Sequence, residues 1–71
     1  MDKQFYREML PLVNDKDQME RLQEYALARI TTHRNNLEIE KDKDRILEIQ
    51  GAIAELRRFK TLRDEVIKGA E

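Results

Sequence analysis

The chain has no cysteine and no serine, one histidine, one proline and two glycines. Without cysteine there are no disulfides and no thiolate chemistry, a pattern that fits an intracellular chain or a cell-independent particle. Without serine there is no serine nucleophile. His33 has no second histidine and no cysteine with which to build a zinc site. Two isolated glycines cannot form a phosphate-cradling loop. No apolar run approaches the ~20 residues of a membrane span. The opening MDKQFYREML mixes acids and bases among its apolar residues, unlike the continuous apolar core of a signal peptide. The expectation is a chain that is soluble, cytoplasmic when synthesised, without a membrane or small-molecule partner, and not an enzyme. No catalytic, cofactor-binding or metal-binding residue is assigned.

What is present suits helices. Of 71 residues, 41% are charged and 39% hydrophobic, and the net charge is −1. That mixture with so little Gly and Pro favours helices over sheet or a disordered tail, in a size range where one core is marginal. The charge is also too evenly spread to make the whole chain a magnet for nucleic acid or anionic lipid.

The deciding stretch is Leu37 to Leu56, LEIEKDKDRILEIQGAIAEL. In one continuous helix Glu38–Asp42, Glu40–Asp44 and Lys41–Arg45 are like-charge pairs at i,i+4, together unfavourable by about 1 kcal/mol. Asp42 and Asp44 are good N-cap residues for a new helix. Folding back about residue 41 or 42 sets Leu37 against Ile46, Ile30 against Ile53, Ala26 against Leu56, and Leu22 against Phe59 to Leu62. The expected fold is therefore all-α: a short N-terminal helix or apolar arm over 1–13, then a coiled-coil-like antiparallel two-helix hairpin over 14–71, turning near 40–44. The missing Gly or Pro at the turn argues the other way, for one long rod.

The first helix is expected over 2–10, capped by Asp2 and ended by Pro11, with Leu12 and Val13 in a bend. The second begins between Asn14 and Asp17, where Asp17 and Glu20 have the form of a capping box. Its stripe of Met19, Leu22, Ala26, Ile30, His33 and Leu37 has the spacing of a helix-pairing seam. The third carries Ile46, Ile49, Ile53, Leu56, Phe59, Leu62 and Val66, a stripe that drifts around the helix after Leu56. Its second half should meet a different surface, and the N-terminal arm is the natural candidate. Lys68-Gly69 reads as a cationic last turn and a glycine stop. Gly51, beside Ala52 and Ala54, reads as a close helix crossing with one polar layer. There His33 pairs with Gln50 or turns its polar edge outward.

A nine-residue helix does not stand alone in water, so the arm must pack on something, either its own hairpin or another protein. The candidate partner-binding residues are Phe5, Tyr6, Met9, Leu12, Val13, Phe59, Leu62 and Val66. A second candidate set, Arg57, Arg58, Lys60 and Arg63, offers cations to nucleic acid or an acidic protein surface. Glu55, Asp64 and Glu65 interrupt that set, and specific recognition normally adds a motif and a broader basic face.

Tyr25, Arg29 and Leu37, then an acidic turn, then Ile49, Gln50, Gly51, Ile53, Glu55, Leu56 and Arg57, make a pattern over residues 22–62. It resembles small α-helical accessory or structural proteins encoded by tailed bacteriophages, with Phe59 where a leucine is often found. The resemblance implies a virion or morphogenesis-region component without enzymatic role, one that self-associates or docks on a larger complex. The alternative is a small nucleic-acid-associated protein.

Overall fold

The computed structural model describes residues 1–71 and is all-helical. Its elements are α1 (Lys3–Val13), α2 (Lys16–Ile39), α3 (Lys43–Arg57), a 3-10 turn (Arg58–Thr61) and α4 (Leu62–Ala70). α2 packs along α3, and α1 along α4. No helix is long and apolar enough to cross a membrane.

The first three helices each start on an aspartate, while α4 follows the 3-10 turn without a side-chain cap. The Asp2 carboxylate accepts the Phe5 N–H at 2.8 Å, as expected from the sequence. α2 is capped by Asp15, which accepts the Gln18 N–H at 3.1 Å, and not by the Asp17–Glu20 pair. Asp17 instead stands in the first turn, where its charge still favours the positive end of the helix dipole. Asp42 caps α3, accepting the N–H groups of Asp44 and Arg45 at 2.9 and 3.5 Å. Before it, Glu40 accepts the N–H groups of Lys41 and Asp42 at 3.2 and 3.1 Å. The carboxylates of this acidic stretch thus supply acceptors that the broken helix ladder lacks. Glu40 and Asp42 are extended with negative φ, and no residue in the chain has positive φ. That is why the connection needs no glycine.

The apolar side chains form two clusters. Ile30, Ile49 and Ile53 are buried together, with Leu37 and Leu56 against them. Val13, Met19 and Val66 make the other, flanked by Tyr6, Met9, Leu10, Leu22 and Leu62. Only seven residues are buried. The radius of gyration is 14.8 Å, against about 11 Å for a compact domain of this length. The molecule measures 44 × 25 × 13 Å, so it is elongated and thinly cored.

Four expectations are corrected. α1 runs through Pro11 to Val13, because packing on α4 buries Val13 to 1% exposure while Pro11 and its missing N–H lie on the exposed side. The third helix is not continuous: it tightens into a 3-10 turn at Arg58–Thr61. Leu56, Phe59 and Leu62 are spaced by three, the repeat of a 3-10 helix, so the drift of the stripe is taken up by a change of helix type. Gly51 is exposed, and a Cβ there would meet nothing within 4 Å, so no close crossing forms at it. Gly69 is not a stop, since α4 continues to Ala70. A Cβ at Gly69 would lie under 3.0 Å from three carbons of the Tyr6 ring, so this glycine is where α1 seats its aromatic on the α4 backbone.

Stability should follow these contacts. Ile53→Ala is expected to lower the unfolding free energy by roughly 2 to 5 kcal/mol, and Asp42→Ala by about 1 kcal/mol, both read by urea denaturation followed by circular dichroism. Gly69→Ala should displace the Tyr6 ring. A loss of hydrogen-exchange protection confined to α1 and α4, with α2 and α3 protected as before, is the expected result.

Candidate docking groove and the basic segment

Beside the Ile30, Ile49 and Ile53 cluster the chain leaves a groove of about 110 Å³, lined by two of that cluster's residues, Ile30 and Leu56. Ala26 and Ile30 from α2 and Leu56 from α3 form its floor, with Leu27 and Phe59 as walls. It lies where α3 gives way to the 3-10 turn. Ala26 is 3% exposed while Leu27, one residue on, is 55% exposed, so an apolar wall stands open beside a sealed floor. The rim is polar: Gln23 on α2, Arg57 and Lys60 opposite. The chain's four ion pairs involve only Arg45 and Arg58 among its cations. Arg57 and Lys60 therefore stand on the rim without carboxylate partners.

The basic segment is split by the 3-10 turn. Arg58 turns away from the groove and bonds Glu55 at 3.0 Å and Glu65 by a very short contact. The hydrogen bond it donates to Glu65 and then the charges of Glu55 and Glu65 push its pKa further up. Arg58 thus ties the end of α3 to α4 across the tightened turn. Arg63 donates through Nε to Asn14 Oδ1 at 3.2 Å, linking α4 to the α1–α2 corner. It shares a cleft with Lys16 and Lys60, but also with Glu20 and Asp64. The four cations that are neighbours in sequence do not make one face.

No family model, characterised protein or solved structure matches this chain. What it binds must therefore be read from its own surface.

The apolar candidates divide in the same way. Val13 and Val66 are the most deeply buried side chains, each 1% exposed, with Tyr6, Met9 and Leu62 packed on their cluster. These five form the molecule's own core and are closed to a partner while α1 rests on α4. Leu12 is half-buried. Phe5 remains open and meets Tyr6 edge to face at 6.1 Å between centroids. Phe59 is half-buried and reaches the surface only as a groove wall. Sequence reasoning did not single out Leu27, Ile39 and Leu47 as surface features, although all three are large and exposed. The signal was there: each sits on the margin of its stripe or off it.

His33 lies in the seam, half-buried, and its Nδ1 is buried with no hydrogen-bond partner. The pairing of His33 Nδ1 with Gln50 is not made, and Gln50 is exposed. A buried ring nitrogen without a partner is unfavourable. His33→Leu should therefore stabilise the fold by roughly 1 kcal/mol, seen as a raised urea midpoint. A lowered midpoint would mean that the imidazole makes a bond in solution.

Proposed function

We propose that this chain is a non-enzymatic helical protein–protein interaction module, most concretely a bacteriophage virion or assembly component that self-associates or docks on a larger complex. Its working body in this reading is an antiparallel, coiled-coil-like hairpin of α2 and α3, with α1 and α4 as a second small pack at its open end.

The observation that carries the reading is the balance of apolar surface. Met1, Phe5, Tyr25, Leu27, Ile39 and Leu47 stay exposed after folding, against seven buried residues in all. Scattered single apolar residues are ordinary on a surface. An open apolar wall beside a groove is a stronger mark of a contact site. The bacteriophage assignment rests on the sequence pattern over residues 22–62. The split of Arg57, Arg58, Lys60 and Arg63 among different surroundings counts against the nucleic-acid alternative, which asks for a continuous basic face.

The test is the solution mass of the purified chain, and its recovery from purified particles of the encoding genome by mass spectrometry. A mass above 8.5 kDa that rises with concentration, or retention in the particle after high-salt washing, is the expected result. A monomer at every concentration that is also absent from particles would end the proposal. Binding to labelled DNA or RNA at low salt, lost steeply as salt rises, would favour the alternative.

A further inference from the structure

The groove and the connection between α2 and α3 are complementary. The groove is apolar inside and carries Arg57 and Lys60 on its rim, with no carboxylate lining it. The connection carries the reverse. Between residues 38 and 44 stand four carboxylates, Glu38, Glu40, Asp42 and Asp44, against two lysines. Among them Ile39, the last residue of α2, is 78% exposed. This is an aliphatic anchor set in an acidic tip, opposite in charge to an aliphatic groove with a cationic rim.

The tip cannot reach the groove of its own molecule. Ile39 and Leu27 lie on the same unbroken helix twelve residues apart, about 18 Å along its axis. We infer that the occupant of the groove is a second copy of this chain, whose Ile39 enters between Leu27 and Phe59 while its Glu38 and Asp44, the two carboxylates of the tip not bonded to the backbone, meet Arg57 and Lys60. This deepens the interaction-module reading and rests on it, by naming the partner and the two patches. Tip and groove are different patches and each copy offers one of each, so reciprocal insertion closes a two-fold dimer and one-way insertion makes a head-to-tail chain. The patch is small, so its affinity is that of a weak, salt-sensitive contact.

The residues involved suit a clean test. Glu38, Ile39, Asp44, Arg57 and Lys60 are all exposed, so changing them leaves both clusters intact. Sedimentation equilibrium of the wild-type chain from micromolar to millimolar concentration should show a mass that rises, and that falls back as salt is added. Ile39→Asp should weaken self-association by roughly tenfold or more, as should Arg57→Glu with Lys60→Glu, each with unchanged helical circular dichroism. Glu38→Lys with Asp44→Lys should do the same alone, and mixing it with the Arg57→Glu/Lys60→Glu chain should restore association. Because the chain has no cysteine, Ile39→Cys mixed with Leu27→Cys gives an independent readout: a 27–39 disulfide should form in preference to either like pair. A chain that remains a monomer throughout overturns this inference, and leaves the module reading to be decided by particle association. Self-association indifferent to all these changes also overturns it, while the module reading stands.

Discussion

From Leu56 to Leu62 the apolar side chains recur every three residues, and the form of the molecule depends on that spacing. An α-helix turns once in 3.6 residues, so it would carry Leu56, Phe59 and Leu62 progressively off the face that meets α2. The chain instead tightens into a 3-10 turn over Arg58–Thr61, which keeps residues at i and i+3 in line. Two results follow. The stripe below the turn serves α2 through Ile49 and Ile53, and the stripe above it serves α1 through Val66. The two apolar clusters stay separate, and the groove opens beside the lower one where α3 gives way to the turn. Arg58, bonded to Glu55 on one side and Glu65 on the other, spans the same turn from outside.

The second constraint is at the other end of α3. A chain leaving a helix must find partners for its free N–H and C=O groups, and a connection of three residues leaves little room for them. Glu40 and Asp42 solve this with their own side chains, one on the connection and one on the first turn of α3. The acidity of the stretch thus has a structural cause. It also leaves Ile39 standing at an acidic tip, because α2 runs two residues beyond Leu37, the last side chain of the seam.

Much of this was written in the order of residues. The seam positions Ile30, Ile49 and Ile53, and the capping roles of Asp2 and Asp42, follow from helical spacing and from the chemistry of a short carboxylate, both local properties. The glycines and the proline misled. Each carries a strong local preference, and at each a distant surface outweighed it: α4 for Pro11, the Tyr6 ring for Gly69, and open solvent where Gly51 was expected to meet a helix. The basic segment misled for a related reason. Arg57, Arg58, Lys60 and Arg63 are close in sequence, but a change of helix type beneath them sends them to different neighbours.

The amino-acid sequence alone therefore determined that the chain is helical and that α1 and α3 begin on Asp2 and Asp42, since propensity and capping act over a few positions. Only the tertiary structure decided which apolar residues are core and which are surface. Val13 and Leu27 are alike in hydrophobicity, yet one is sealed between α1 and α4 and the other stands open beside a groove. That difference is set by how whole helices lie against each other, and no window of neighbouring residues contains it.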